Sequence, residues 1–300
     1  MKLLSGIEAS SHYTTILKEK IKASGIQPFL TIVLVGDDKP SHLYVKNKIK
    51  KAGEIGIKTN LIHLPANTTP DTMLNLIKSL NEDPQIHGYI LQMPLPPHLQ
   101  NSRHLINNLI APEKDVDGFS SRNMGALIKG EAGFIPATPL GILLLLAYYS
   151  ISVEGKHVVV VGRSTTVGMP LSILLASKSP FGNATVTICH SHTPVLEKFI
   201  KEADILITAI GKPHAISTGI LKKGTIVIDV GINFKDGKIV GDCLIDTSSN
   251  NVEAITPVPG GVGPMTVFAL MLNTWASAYY KTIKRELPPP LYFTQILNSY

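Results

Sequence analysis

Short apolar runs rich in β-branched residues recur along the chain and alternate with segments of helical character. Near-continuous hydrophobicity of this kind is typical of parallel strands that helices cover on both faces. Helices between successive strands predict an α/β protein. Six runs are interpreted as buried strands, at residues 29–35, 89–92, 158–161, 185–188, 205–209 and 226–230.

The length of 300 residues exceeds what one core comfortably fills and predicts two domains. A boundary is expected near Thr138 and Pro139, because threonine is a favoured N-cap and proline is favoured at the first helical position. We predict an N-terminal α/β domain over residues 1–138 and a Rossmann-like domain with a parallel sheet over 139–266. An apolar helix over about 267–286 is expected to pack back on the first domain, before a tail over 287–300.

Composition excludes several classes of protein. A formal net charge of +6 without a dense basic run argues against a nucleic-acid partner and fits phosphate or carboxylate ligands. Two cysteines, Cys189 and Cys243, in apolar contexts favour a reducing compartment. No signal-like apolar core follows Met1, and the longest apolar run, 142–149, is too short for a membrane span. We therefore expect a cytoplasmic protein without a membrane partner.

The segment 256–266, Thr-Pro-Val-Pro-Gly-Gly-Val-Gly-Pro-Met-Thr, contains six Gly or Pro residues and no charge. Surface turns usually add Asn, Asp or Ser, and these are missing here. Glycine lets the backbone approach a ligand closely, and proline holds its path rigid. The segment predicts a ligand-binding loop, with a stiff connector between buried elements as the alternative.

A strand, a Gly-bearing turn and a helix start follow one another over residues 156–170. The amides and positive dipole end of such a helix suit a pyrophosphate. Only Gly162 and Gly168 of the usual glycine pattern are present, so a turn without a ligand is the alternative.

The next strand ends at residues 189–192 with no acidic residue to bind the ribose hydroxyls of NAD. Arg163, in the first turn, can meet a 2′-phosphate, which favours NADP. The Cys-His-x-His cluster of 189–192 is an alternative metal site, but no further ligands stand at metal spacing, and no metal is expected.

Tyr44 and Lys48 are four residues apart on a predicted helix that opens near Ser41, so they share one face. Burial beside a ligand lowers the pKa of a lysine and makes it a usable acid or base; a solvated lysine is the alternative. Gln92 ends a strand, where ligand crevices lie in such sheets. The carboxylates at 115 and 117 are either ligand-binding or an ordinary acidic turn.

Together these segments resemble the bifunctional methylenetetrahydrofolate dehydrogenase/cyclohydrolase family, over roughly residues 41–266. The order and spacing of the blocks match together. The matching blocks are Tyr44-Val45-x-x-Lys48, Gln92-x-Pro94-Leu95-Pro96, Lys114-Asp115-Val116-Asp117-Gly118-Phe119, Gly162-Arg163-Ser164-x-x-Val167-Gly168-x-Pro170, Asp229-Val230-Gly231-Ile232-Asn233 and the loop from Pro257 to Thr266.

The resemblance implies a catalytic, folate-binding first domain. It implies hydride transfer from 5,10-methylenetetrahydrofolate to NADP, then addition of water to give 10-formyltetrahydrofolate. In the family, the lysine at Lys48 is the general acid/base of the water step, and the glutamine at Gln92 hydrogen-bonds it. Tyr44 stacks on the folate ring, and Asp117, preferred over Asp115, holds the donors of the pterin.

The same resemblance implies an NADP-binding second domain and a homodimer. Cis peptide bonds are expected before Pro94 and Pro259, and Ala137 stands where the family often has cysteine. Residues 4–11 and the tail beyond 287 match the family poorly. The implied cofactor-binding residues are Gly162, Arg163, Ser164, Val167, Ser191, Ile232 and Thr266, and the further substrate-binding residues are Pro259, Gly260 and Gly261.

Two other functions compete with this interpretation. One is a dehydrogenase that has lost the cyclohydrolase step, and the other is a folate- or nucleotide-binding regulator without catalysis. The presence of Lys48 and Gln92 argues against the first, and the presence of Lys48 argues against the second, which predicts loss of the lysine. A formyltetrahydrofolate synthetase would need a large ATP-binding domain for which the sequence has no room.

Overall fold

The computed structural model describes residues 1–100, 102–246 and 248–285; the predicted tail over 287–300 lies outside these residues. Contacts divide the chain into two compact units. Among the described residues, the six-stranded unit contains 1–11 and 138–266, and the three-stranded unit contains 12–137 and 267–285.

Strands and helices alternate along both units, as an α/β protein requires. The described strands are β1 (Lys2–Leu3), β2 (Phe29–Val35), β3 (Lys58–Leu64), β4 (Gly88–Leu91), β5 (His157–Val161), β6 (Thr185–Cys189), β7 (Ile205–Thr208), β8 (Ile216–Ser217), β9 (Thr225–Asp229), β10 (Asn233–Lys235), β11 (Lys238–Val240), β12 (Cys243–Leu244) and β13 (Val252–Ile255). The described α-helices are α1 (Gly6–Ser24), α2 (Lys39–Ile55), α3 (Pro70–Glu82), α4 (Pro97–Gln100), α5 (Arg103–Leu109), α6 (Ser121–Lys129), α7 (Ala137–Tyr148), α8 (Gly168–Ala176), α9 (Leu196–Ile200) and α10 (Val262–Thr282).

The three-stranded unit has a parallel sheet of order β3-β2-β4. Its central strand β2 is buried from Leu30 to Val35, which explains the near-continuous apolar run in the sequence. Helix α2 follows directly. The Asp38 carboxylate caps its start by accepting a hydrogen bond from the Ser41 amide at 2.9 Å, and Gly56 ends it in the left-handed conformation.

The six-stranded unit has an all-parallel sheet of order β1-β13-β9-β7-β5-β6. Its first strand is the start of the chain, where Lys2 pairs with Ala254 and the Leu4 amide donates to Ile255 O at 2.8 Å. Residues 1–11 therefore join this unit, whereas the sequence placed them with residues up to 138. A two-residue strand is too short to carry a hydrophobic period.

Two helix starts differ from the predicted ones. Helix α7 begins at Ala137, one residue before the predicted N-cap Thr138. Helix α10 begins at Val262 rather than 267. From Val267 onward α10 lies in the three-stranded unit, where Asn273 Nδ2 donates to Val116 O at 2.8 Å and to Ile135 O at 2.9 Å. No helix among the described residues combines the length and hydrophobicity that a membrane span needs.

Candidate active site

Lys48 and Gln92 meet in the three-stranded unit, although 44 residues separate them. Lys48 Nζ donates a hydrogen bond to Gln92 Oε1 at 2.9 Å. The Gln92 side chain is buried, and its Nε2 donates to Met93 O at 2.8 Å. Because that carbonyl can only accept, the amide oxygen of Gln92 must face the amine. Gln92 therefore fixes the position of a lysine on α2 from the end of β4.

The charges of Lys48 and Asp117 are tuned by burial and by one another. Loss of hydration lowers the pKa of Lys48, and the Asp117 carboxylate opposes that shift. Burial raises the pKa of Asp117 from 3.8 to about 6, with Lys48 opposing the rise and Asp115 adding to it. Both groups can therefore change protonation nearer neutral pH than they would in water. Such a pair is suited to acid–base chemistry.

Asp115 and Asp117 have different surroundings. Asp115 is 1% exposed, and its carboxylate accepts four hydrogen bonds. Their donors are the amides of Gly118, Phe119 and Ser120 and Nδ2 of Asn123, at 2.7–3.3 Å. Four donors use the acceptor capacity of a carboxylate, so Asp115 holds its own turn together. The expectation that Asp115 binds substrate is not supported by these contacts.

The Asp117 side chain is part-buried. Among the described residues, no hydrogen bond to its carboxylate shifts the pKa of Asp117. Asp117 is therefore the carboxylate of this turn that can receive donors from a ligand. Tyr44, also part-buried, lies one helical turn before Lys48 on α2, and burial raises the pKa of its hydroxyl. An aromatic ring, an amine and a carboxylate are thus assembled in the three-stranded unit.

Lys114 anchors the same turn to a helix end. Its buried Nζ donates to the carbonyls of Leu80, Asn81 and Asp83 at 2.7–2.8 Å. The carbonyls of Leu80 and Asn81 belong to the last turn of α3, which has no basic residue of its own in that turn. A lysine at a helix C-terminus satisfies carbonyls that the helix itself leaves free.

We expect Lys114→Met to lower the free energy of unfolding by about 2–4 kcal/mol, because one buried and two part-buried carbonyls lose a charged donor. Urea unfolding followed by circular dichroism measures this. Lys129→Met, at an exposed lysine of α6, is the matched control and should leave the midpoint unchanged. Equal midpoints for the two variants would contradict the anchoring role.

The turn after β5 has the geometry of an anion-binding loop. Gly162 has φ of 132°, and a Cβ on Gly168 would overlap the carbonyl of Gly162. Ser164 Oγ accepts a hydrogen bond from the Val167 amide at 3.1 Å, and α8 begins at Gly168. Both glycines are therefore required by the tight turn, and the positive dipole end of α8, which begins at Gly168, suits a phosphate.

Arg163 is exposed and lies close to the end of β6. Partial burial lowers the pKa of His190, and the positive charge of Arg163 lowers it further. The exposed Ser191 and His192 follow directly. The two predicted cofactor segments therefore come together around positive charge, without an acidic side chain at 189–193.

The other predicted cofactor residues of the six-stranded unit have distinct contacts. Ile232 is a 44% exposed apolar side chain on the loop after β9. Thr266 is already engaged, because its hydroxyl lies within hydrogen-bond distance of Thr138 Oγ1 and of Val262 O, both at 3.2 Å. The Thr266 side chain links α7 to α10 and is a weaker candidate for a cofactor contact.

The Gly- and Pro-rich loop also lies in the six-stranded unit. The Met93–Pro94 and Val258–Pro259 peptide bonds are cis, which confirms both predicted isomers. Gly260 O accepts hydrogen bonds from the amides of Gly6 and Ile7, at 2.9 and 3.1 Å. The start of α1 thus fixes the segment that contains Pro259, Gly260 and Gly261, a contact that the sequence did not predict.

Two buried carboxylates that the sequence analysis missed hold the loops beside Ile232. The Asp229 carboxylate accepts hydrogen bonds from the amides of Gly231, Asp242 and Cys243 at 2.8–3.0 Å, and burial raises its pKa. Asp242 accepts from Asn233 Nδ2 at 2.9 Å and from three consecutive amides at 2.6–3.2 Å, those of Ile210, Gly211 and Lys212. Asp229 is the first residue of one of the blocks that resemble the family, whereas nothing in the sequence around Asp242 indicated its role.

Comparison with known proteins agrees with this geometry. The family model for the tetrahydrofolate dehydrogenase/cyclohydrolase catalytic domain matches residues 4–117, and the model for the NAD(P)-binding domain of the same family matches residues 136–282. The bifunctional protein FolD of Aquifex aeolicus is 46% identical over 280 residues, which are 92% of this chain and 94% of that protein.

Solved structures give the same relation. The bifunctional FolD of Campylobacter jejuni superposes with a TM-score of 0.87 at 43% identity, covering 94% of this chain and 99% of that one. A Trypanosoma brucei methylenetetrahydrofolate dehydrogenase-cyclohydrolase, complexed with NADP cofactor and an inhibitor, gives a TM-score of 0.85 at 32% identity over 94% of this chain and 98% of that one. The chain therefore belongs to the tetrahydrofolate dehydrogenase/cyclohydrolase family.

Proposed function

We propose that the chain oxidises 5,10-methylenetetrahydrofolate with NADP to the methenyl compound and then hydrolyses that compound to 10-formyltetrahydrofolate, with Lys48 as the general acid/base. Family membership carries the pair of reactions. The single observation that carries the role of Lys48 is its 2.9 Å hydrogen bond to the buried Gln92. That contact holds an amine of lowered pKa in one position.

During the hydrolysis, Lys48 first accepts a proton and then donates it. As the free amine, Nζ takes a proton from water while the water oxygen bonds to the methenyl carbon. As the ammonium, Nζ returns that proton to the ring nitrogen while its bond to the same carbon breaks. The hydroxyl proton of the adduct leaves to solvent as the formyl carbonyl forms, so one water is consumed and one proton released. Asp117, which opposes the loss of charge on Lys48, keeps the ammonium form accessible.

Substrate binding falls to two side chains near Lys48. The part-buried Asp117 carboxylate accepts the amino and ring N–H donors of the pterin, and charge-assisted paired bonds of this kind fix orientation. The ring of Tyr44 stacks on the folate ring system. Asp115 acts indirectly, because its four hydrogen bonds shape the turn that presents Asp117.

The cofactor assignment rests on the turn after β5. When bound, NADP accepts the hydride, and the protein supplies position. The tight turn at Gly162 and the positive dipole end of α8 receive the pyrophosphate, with Ser164 shaping the turn and Val167 lining it. Ser191 and Ile232 line the remainder of the cofactor site. The absence of an acid at 189–193 and the exposed Arg163 favour a 2′-phosphate.

We expect Arg163→Ala to raise the KM for NADP by about 10–100-fold, because one charge-assisted phosphate contact is lost. The KM for NAD, which has no 2′-phosphate, should not change. Steady-state assays with both dinucleotides measure the two constants. Arg122→Ala, at an exposed arginine of the three-stranded unit, is the control. Equal effects on NADP and NAD would contradict the assignment of Arg163.

The pair of reactions is tested by one assay. Purified protein is mixed with 5,10-methylenetetrahydrofolate and NADP, and the absorbances of NADPH and of the methenyl compound are followed together. NADPH formation with little methenyl compound supports both activities. Accumulation of the methenyl compound would indicate a dehydrogenase with an absent water step. Failure to form NADPH, or NADH when NAD replaces NADP, would leave only a binding protein.

The assembly and compartment extend the same proposal. The resemblance supports a homodimer, which light scattering after size-exclusion chromatography tests directly. Cys189 and Cys243 are both free and buried, which fits a reducing compartment such as the cytoplasm.

A further inference from the structure

Three metal-ligating side chains outside the candidate active site converge on the surface of the three-stranded unit. Asp37 lies in the loop after β2, His42 in the first turn of α2, and His63 near the end of β3. One ligand atom from each lies within 4.8 Å of the others, and among the described residues this is the only such group. None of the three has a role in the proposed reactions, so the inference does not depend on the proposed function.

The two distances from Asp37 to the imidazoles match those of a metal site better than those of hydrogen bonds. Asp37 Oδ1 lies 3.4 Å from His42 Nε2 and 3.3 Å from His63 Nε2. Both separations exceed the usual N–H···O distance of about 2.9–3.0 Å. Zinc–nitrogen and zinc–oxygen bonds of about 2.0–2.2 Å at the tetrahedral angle place two ligand atoms about 3.3–3.5 Å apart. One carboxylate oxygen is therefore at the ligand–ligand distance of a tetrahedral site from both imidazoles.

The donor set selects a class of metal. Two imidazoles and one carboxylate suit Zn²⁺, Co²⁺, Ni²⁺ or Cu²⁺, whereas Mg²⁺ and Ca²⁺ prefer oxygen ligands alone. The side chains of Asp37, His42 and His63 are 80%, 44% and 40% exposed, so an ion can reach them and water can fill the fourth position. His63 Nε2 also lies 3.0 Å from Gly36 O, and that hydrogen bond would be exchanged for the metal bond.

We propose that Asp37, His42 and His63 form a surface site for one divalent transition-metal ion, best suited to zinc, with water as the fourth ligand. Bound metal joins the loop after β2 and the first turn of α2 to the end of β3. Because α2 also carries Tyr44 and Lys48, the ion stabilises the unit that holds the proposed catalytic groups. Its role is structural, since none of its ligands belongs to the candidate active site.

Metal binding to the full chain, prepared without a polyhistidine tag and freed of metal by a chelator, tests the proposal. Titration calorimetry with Zn²⁺ in neutral buffer should give one ion per chain, and Co²⁺ should give the intense visible absorption of a tetrahedral site. Zinc should also raise the melting temperature of the protein. His42→Gln, His63→Gln and Asp37→Asn should each weaken zinc binding by at least about tenfold.

His104→Gln, at an exposed histidine outside the group, is the matched control and should bind zinc as the unchanged protein does. The three ligand variants lie on the surface and should keep the circular dichroism spectrum of the parent. A parent protein that binds no zinc would overturn the proposal. So would zinc affinity that survives in the His42→Gln and His63→Gln variants, or that falls equally in His104→Gln.

Discussion

Replacing Lys48 by methionine is expected to lower the rate of methenyltetrahydrofolate hydrolysis by about 10²–10⁴-fold, the contribution typical of a positioned acid–base group. Methionine keeps much of the apolar stem of lysine but cannot carry a proton. Hydride transfer needs positioning rather than this proton, so NADPH formation should continue while the methenyl compound accumulates. The decay of methenyl absorbance above the uncatalysed rate measures the hydrolysis, and substrate binding measured by fluorescence should be largely retained.

Lys46→Met is the matched control for this variant. Lys46 lies two residues earlier on α2 and is exposed, whereas Lys48 is part-buried and bonded to Gln92. The control should hydrolyse the methenyl compound at the parent rate. Hydrolysis that survives in Lys48→Met would show that another group moves the proton.

Replacing Asp117 by asparagine is expected to lower kcat/KM for both reactions by about 10²–10³-fold. The reason is that charge-assisted bonds of about 1.5–3 kcal/mol each are weakened and an amide N–H₂ group meets the donors of the pterin. Both reactions use the same bound substrate, so both should fall together, in contrast to Lys48→Met. Glu113→Gln, at an exposed acid of the same segment, is the control and should leave both values unchanged.

Measurements of stability distinguish this loss of activity from a loss of the folded structure. The pKa of Asp117 is raised from 3.8 to about 6, so the folded state binds a proton more tightly than the unfolded state. That contribution to stability is complete below pH 3.8 and is lost as the pH rises through about 6. Removing the acid should therefore make the protein relatively more stable at neutral pH than in acid, as urea midpoints across this range measure. A variant that unfolds at neutral pH, or that retains both activities, would contradict the role of Asp117.

Six of the thirteen described strands could be predicted from the sequence, because buried parallel strands are apolar on both faces. All six predicted runs are strands, with ends that differ by one residue or coincide. The start of α10 could not be predicted, because Gly260, Gly261 and Gly263 are typical of a loop. Pro264 lies in the first turn of the helix, where proline is tolerated. Strand β1 was not predicted, because its two residues become a strand only by pairing with β13.

Within the candidate site, residue types were predictable but contacts between distant residues were not. Lys48 and Gln92 were both identified, yet their hydrogen bond depends on where α2 and β4 lie in the fold. Asp115 and Asp117 could not be told apart from spacing alone, because their difference arises from which carboxylate the folded turn surrounds with donors. Nothing in the sequence around Asp242 indicated that its carboxylate holds a loop together.

The metal-ligating group shows the same limit. Asp37 and His42 are near in sequence, but His63 joins them only because β3 pairs with β2 in the observed register. Spacing along the chain gave no reason to connect the three, and the sequence analysis expected no metal.

The most direct test of the account is the titration of the Lys48 amine by NMR, with lysine labelled at Cε and the signal assigned by its loss in Lys48→Met. We predict that Lys48 titrates below the ordinary lysine value of 10.5, because burial disfavours its charge. A Lys48 amine that titrates at 10.5 or above would contradict the proposal that this lysine is the acid/base of the water step.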